Sequence, residues 1–182
     1  QSAAGKTDKN GELTVPEVEQ TERHGIYIVG YTDGTFGPSR SMTRSEAAAI
    51  FARLLAEKNG DTISTAANTK FADIPAHAWY SGYVKYLSNN GITYGKSKTI
   101  FAPNDAITRA EFTTMAVRFF DVYGDGDAEI MEQFSGFNDV SSGYWAAEYI
   151  KYAALHGWIN GYGDGSFHAD REINRAEVVT IV

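Results

Sequence analysis

The sequence predicts a mainly α-helical protein built from three helix–loop–helix repeats, and three observations predict it. The stretches Gly30 to Glu46, Gly95 to Glu111 and Gly161 to Glu177 align without a gap. Their arginines, at 44, 109 and 175, recur at a nearly constant interval, and the phenylalanines at 36, 101 and 167 reproduce both intervals to the residue. A fixed period of this length marks a repeat architecture. Apolar residues then fall at helical spacing in each unit, and a cap signal opens one helix per unit.

The elements follow in order. A front block, Phe71-Ala-Asp73 with Trp79-Tyr80 and Gly91, recurs one period on as Phe137-Asn-Asp139 with Tyr144-Trp145 and Gly157. After each tryptophan the apolar residues are helical in period, as in Tyr80, Tyr83, Val84 and Leu87, or Trp145, Tyr149, Ile150 and Ala153. This first helix ends near Asn90-Gly91 and His156-Gly157, where glycine suits the left-handed position past a helix. A turn with one or two extended residues follows, built on Asp33-Gly34 and Asp164-Gly165. The second helix opens on Thr43 with Glu46, Thr108 with Glu111, and Asn174 with Glu177, each a cap residue with an acid three positions later. Ile50, Phe51, Leu54 and Leu55, and in the second repeat Met115, Phe119 and Phe120, supply its buried stripe. Repeat one keeps only a degenerate front half, with Asp8, Leu13 and Val18 near the expected positions, and the last helix is expected to be cut short at Val182. The repeats are placed at 1–66, 67–132 and 133–182 within one compact domain. A single helix pair cannot bury both its faces, so the three are expected to associate around a shared axis or to stack.

Composition removes several function classes. The 182 residues carry 16 basic against 23 acidic side chains, a net charge of −7, and no cysteine. An acidic chain is a poor nucleic-acid binder, because phosphate contacts need clustered Lys and Arg. Without cysteine there is no disulfide, thiolate nucleophile or Cys-ligated zinc. The most apolar stretch, Ala47 to Ala56, is broken by Arg53 and is far short of the roughly 20 residues that span a bilayer, so membrane insertion is not expected. Gln1 opens a polar stretch with no apolar signal region, and any secretion signal is expected to have been removed. Catalysis finds little support: no nucleophile elbow occurs, the four histidines do not recur in register, and the recurring glutamates are accounted for as capping partners. No cofactor is implied. Two stretches, around Asp8 and around Asp125, imitate calcium loops, but Lys6 and Tyr123 stand where oxygen ligands belong, so solvated linkers are the simpler reading and no metal site is expected.

Arg44, Arg109 and Arg175 are the most informative positions. Each is the first residue of a helix, where the dipole disfavours a cation by roughly 0.3–1 kcal/mol. Their recurrence calls for either a carboxylate held in the fold or an anionic ligand approaching helix amides and guanidinium together. The Gly and Asp-Gly positions, Gly30, Asp33, Gly34, Gly161, Asp164 and Gly165, fit turn chemistry as well as close backbone approach to a ligand. Trp79 and Trp145 fit core wedges as well as sugar-stacking platforms. Tyr31 and Tyr162 occupy matching loop positions and suit carbohydrate or interface contacts.

The combination of Phe-x-Asp, Trp-Tyr, Gly-Tyr-x-Asp-Gly-x-Phe and Ile-Thr-Arg-Ala-Glu resembles the S-layer homology modules of bacterial cell-surface proteins. The tail motif reads Met42-Thr-Arg-Ser-Glu46, Ile107-Thr-Arg-Ala-Glu111 and Ile173-Asn-Arg-Ala-Glu177, and the resemblance covers residues 24 to 182. It implies a pseudo-threefold, trimer-like bundle, with first helices central and second helices as outer prongs. It also implies a secreted protein, held non-covalently at the cell wall or S-layer through a secondary cell-wall polysaccharide bearing pyruvylated N-acetylmannosamine, bound in grooves between repeats. On that resemblance Arg44, Arg109 and Arg175 engage the ligand's acid or ring oxygens, Asp73 and Asp139 position polar groups, Trp79 and Trp145 form walls, and Gly30, Gly161, Asp33 and Asp164 complete the floor. Repeat two departs from the pattern, with Lys96, Ser97, Lys98 and Thr99 in its turn, so an altered or silent groove is expected there. The alternative is a structural module for protein assembly or self-association in a surface layer, with the arginines as salt bridges.

Overall fold

A computed structural model describes residues 28, 30, 33–120 and 136–180. It contains α1 (Arg44–Asn59), α2 (Ser81–Asn89), α3 (Arg109–Phe120), α4 (Ala147–Leu155) and α5 (Arg175–Val179). Helices α1, α3 and α5 are the second helices of repeats one, two and three, and α2 and α4 are the first helices of repeats two and three. The front half of repeat one, Tyr31 and the two calcium-like stretches at Asp8 and Asp125 lie outside the described residues.

Each second helix begins directly after its predicted cap, and all three capping boxes are closed. The Thr43 hydroxyl accepts from Glu46 N while Glu46 accepts from Thr43 N, and Asn174 and Glu177 do the same. In α3, Thr108 N donates to Glu111 Oε2 at 3.1 Å and Glu111 N to Thr108 Oγ1 at 3.2 Å. The first helices start just after the tryptophans rather than on them. Tight turns precede them, with Ser81 N bonded to Ala78 O and Ala147 N to Tyr144 O. Trp79 and Trp145 therefore sit on the turn ahead of the helix and point outward. As predicted, glycines in the left-handed conformation follow α2 and α4, with φ of 74° at Gly91 and 71° at Gly157.

The three repeats close on one another through a ring of backbone hydrogen bonds. Met42 N donates to Ile173 O at 3.0 Å, Ile173 N to Ile107 O at 3.0 Å, and Ile107 N to Met42 O at 2.9 Å. These residues share one register in the three repeats, and all three are fully buried. The isolated bridges Ser41–Asn174, Thr43–Ala106 and Thr108–Glu172 flank the ring and are the short extended segments expected before each second helix. A cyclic pattern of equivalent residues is a pseudo-threefold axis, which decides between the shared axis and the stack.

Among the described residues the two first helices do not pack on each other, as a central bundle of first helices would require. Second helices α1 and α3 pack on each other, with the Phe51 ring centroid 5.0 Å from that of Phe112 and 5.7 Å from that of Phe119. Helix α2 packs on α1 and α4 on α3, so each of these two described first helices flanks the second helix of the preceding repeat. Composition suits α1 to the interior better than α2. The stretch Ala47–Ala48–Ala49–Ile50–Phe51–Ala52 is buried on every side, whereas α2 carries Lys85 and Asn89 on an exposed face. Phe120, expected in the buried stripe, is 41% exposed at the end of α3 and rests on Trp158 at 4.6 Å.

Candidate functional site

The arginines that open the second helices are buried, and each reaches into the following repeat. Arg44 Nε donates to Phe101 O at 2.8 Å, Arg109 Nε to Phe167 O at 2.9 Å, and Arg175 Nε to Phe36 O at 2.9 Å. Each guanidinium also lies over the ring of that phenylalanine, at 4.9, 4.5 and 4.9 Å from its centroid. For Arg44 and Arg109 a further nitrogen meets the capping glutamate of the next repeat: Arg44 Nη1 is 2.9 Å from Glu111 Oε1, and Arg109 Nη1 is 3.3 Å from Glu177 Oε1. Each of these glutamates divides its carboxylate, with Oε2 closing its own helix cap and Oε1 facing the incoming arginine. Arg109 Nη2 additionally donates to Asn160 O at 3.1 Å. Burial pushes the pKa of Arg109 below the ordinary arginine value, opposed by Tyr162 and Glu177.

The amides at these helix starts are taken as well. Arg44 N and Ser45 N donate to Asp105 O and Pro103 O, Arg109 N and Ala110 N to Arg171 O and Ala169 O, and Arg175 N and Ala176 N to Arg40 O and Pro38 O. The first-turn donors that would receive an anion are thus filled by carbonyls of the neighbouring repeat. The helix starts hold the repeats together, and the carboxylate that offsets each cation at a positive dipole end belongs, for Arg44 and Arg109, to the fold.

The other nominated residues divide into braces of the fold and exposed tryptophans. Asp73 accepts from Phe101 N at 2.9 Å and Ala102 N at 2.6 Å, and Asp139 from Phe167 N at 2.7 Å and His168 N at 2.8 Å. These carboxylates hold Ala102 and His168 at positive φ and thereby aim the Phe101 and Phe167 carbonyls at the arginines. Burial raises the Asp139 pKa, but hydrogen bonds from the Phe167, His168 and Asp139 amides together with the charge of His168 leave it below the ordinary carboxylate value. Asp33 and Asp164 bind the backbone and hydroxyl of Thr35 and Ser166 two positions on, which lowers both pKa values. At Gly161 an added Cβ would stand 2.4 Å from the Phe137 ring and 2.7 Å from Ser166 O, and at Gly30 it would stand 3.1 Å from Thr35 O. Those glycines make room for the protein's own chain. Trp79 and Trp145, by contrast, are 55% and 57% exposed and wedge into no core.

One groove gathers residues of all three repeats. It has a volume of about 310 Å³ and runs between Arg44, the Thr93–Lys96 loop and α3, with Trp145 as its outer wall. Arg44, Lys96 and Arg118 face it against the single carboxylate of Glu111. Arg118 is held between the rings of Tyr94 and Tyr149, at 4.6 and 4.9 Å, and donates to Tyr149 Oη at 3.1 Å through Nη2. Tyr94 is itself exposed on the rim. The site therefore offers two exposed aromatic faces beside a local excess of positive charge, on a chain whose net charge is −7. It is built on repeat two, the repeat whose turn departs from the pattern.

Sequence reasoning nominates Arg44 and Trp145 for such a groove and misses Tyr94, Glu111 and Arg118. A signal for Arg118 exists: Arg53 holds the same register in repeat one, and Tyr83 and Tyr149 match one another in repeats two and three. Arg53 lies over Tyr83 at 5.0 Å, as Arg118 lies over Tyr149.

The S-layer homology domain profile matches residues 14–48, 70–113 and 136–179. The chain belongs to the S-layer homology domain family. Among curated proteins, a cellulosome-anchoring protein of Acetivibrio thermocellus is 31% identical over the whole chain, which spans 40% of that protein. Cell surface glycoprotein 1 of the same organism is 35% identical over 87% of the chain and 7% of its own length. The surface-layer 125 kDa protein of Lysinibacillus sphaericus is 36% identical over 74% of the chain and 10% of its own length. The chain thus spans well under half of these relatives. Family and relatives place this S-layer homology module among bacterial cell-surface and surface-layer proteins, and no helix among the described residues is long and apolar enough to cross a membrane.

Proposed function

We propose that this S-layer homology module is a non-catalytic cell-wall anchor that binds an anionic secondary wall polysaccharide, of the pyruvylated N-acetylmannosamine kind, in the groove between repeats. One observation carries the reading: three cations and one carboxylate line a groove walled by an exposed tryptophan, on an otherwise acidic chain. A ketal-linked pyruvate presents a carboxylate beside a sugar ring. The cations suit the carboxylate, and the ring's apolar face suits Trp145 and Tyr94.

The test is binding to purified cell-wall sacculi before and after chemical removal of the ketal, with Trp145→Ala alongside the natural sequence. Loss of binding with the ketal, and a weakening of about tenfold in Trp145→Ala with folding intact, is expected. Equal binding to both preparations would end the anionic-glycan reading. A second reading, assembly of protein subunits without glycan, is favoured by the Arg44–Glu111 and Arg109–Glu177 pairs, which give those arginines a partner inside the fold. It requires concentration-dependent self-association in sedimentation experiments without glycan.

A further inference from the structure

We propose that the ligand carboxylate is gripped not by the buried helix-start arginine but by a second, exposed cation beside the same glutamate, and that repeat two supplies this cation from a different loop position than repeat three. The inference rests on the anionic-ligand reading and names the group that performs it.

Glu111 Oε1 is flanked by Arg44 Nη1 at 2.9 Å and by Lys96 Nζ at 3.8 Å. Glu177 Oε1 is flanked by Arg109 Nη1 and by Arg171 Nη2. The two glutamates hold one register, and so do Arg44 and Arg109, but Lys96 and Arg171 do not. Lys96 occupies the position of Tyr31 and Tyr162, and Arg171 that of Arg40 and Asp105. Repeats one and three thus read Tyr with Arg at these two positions, and repeat two reads Lys with Asp. The exchange is paired: the cation has moved to the tyrosine position, and the position it left carries Asp105, 3.5 Å from Lys96 Nζ. A second positive charge beside the glutamate survives the change of residue at both places.

Exposure separates the roles of the two cations. Arg44 and Arg109 are buried and already bound to the Phe101 and Phe167 carbonyls and to Glu111 and Glu177, so a ligand meets little of their surface. The side chains of Lys96 and Arg171 are 41% and 39% exposed. Lys96 stands farther from both its acids than a charge-assisted hydrogen bond, so an arriving carboxylate takes it over with little loss. In repeat two this cation lies in the same groove as Trp145, so one ligand reaches both.

The test titrates the whole chain with the methyl glycoside of pyruvate-ketal N-acetylmannosamine and follows the Trp145 indole resonance, assigned with Trp145→Phe, which reports this groove alone. Lys96→Met should raise the Kd read there about tenfold, with Tm within about 3 °C of the natural chain. Lys96→Tyr should weaken binding similarly, and Lys96→Tyr combined with Asp105→Arg, which writes the pattern of repeats one and three into repeat two, should restore it to within about threefold. Unchanged affinity in Lys96→Met, or no recovery in the double variant, overturns the proposal. So does a silent Trp145 resonance while wall binding remains ketal-dependent, an outcome that leaves the anchoring function standing. Wall binding indifferent to the ketal would instead overturn the anionic-ligand reading itself.

Discussion

An arginine at the first position of a helix carries the wrong charge for its dipole, and Arg44 shows what overrides that local preference. Its fork satisfies a backbone carbonyl in one direction and a largely buried carboxylate in the other, while its aliphatic stem and plane cover Phe101. The oddity is visible in the sequence but its resolution is not, because Glu111 lies in the next repeat and only the closed register brings the two together. Removing Arg44 would leave Glu111 Oε1 and Phe101 O without their buried partner. Arg44→Ala is therefore expected to lower the unfolding free energy by about 3 kcal/mol, read from urea denaturation. Arg44→Lys should recover only part of it, since an ammonium cannot serve both directions at once. A stability loss near zero in Arg44→Ala would mean that the pair is not a structural clamp, and a binding defect in that variant would then report ligand contact directly.

At the scale of elements, the front block and the loop before the second helix form one device joined by a carboxylate. Asp139 sits ahead of α4, yet both its bonds go to the backbone beyond that helix, where they set the turn that aims Phe167 O at Arg109. Spacing made Phe-x-Asp and the glycines legible as recurring signals, and the resemblance then read them as groove residues. Their short-range reason, a phenylalanine edge against Gly161 and a carboxylate under the turn, depends on a fold-back that spacing alone does not encode. The caps and helix ends were legible because they are local. The bonds also fix a pH dependence. The folded pKa of Asp139 is depressed, so its contribution is fully present above the unfolded carboxylate value, about pH 4, and is lost as pH falls through the lower folded value. Asp139→Asn should therefore be destabilised at pH 7, and the gap from the natural chain should close as the pH falls below the unfolded carboxylate value and through the lower folded one. Urea midpoints across this range test it; a gap that stays constant with pH would show that the charge on Asp139 contributes nothing.

For the whole molecule, the decisive feature is that the repeats close rather than line up. A linear repeat array loses its ends first, because terminal units have one neighbour. Here Met42, Ile107 and Ile173 each donate to one repeat and accept from another, and the helix starts of each repeat are filled by carbonyls of the next, round to repeat one again. Repeat one is joined to repeat three although Arg40 and Arg175 stand two full repeats apart in the chain. The period announced three equivalent units, but a period is the same in a ring and in a stack, so closure became visible only in the hydrogen bonds. A closed ring should unfold as one cooperative unit. Ile173→Ala removes buried volume at the axis in repeat three and is expected to cost about 2–4 kcal/mol. In native-state hydrogen exchange, that loss should speed the slowest amides of α1 and α3 by the same factor as those near residue 173, because no repeat keeps its contacts when the ring opens. Exchange in α1 that is insensitive to Ile173→Ala would mean that repeat one holds its structure without repeat three and that the ring confers no shared stability.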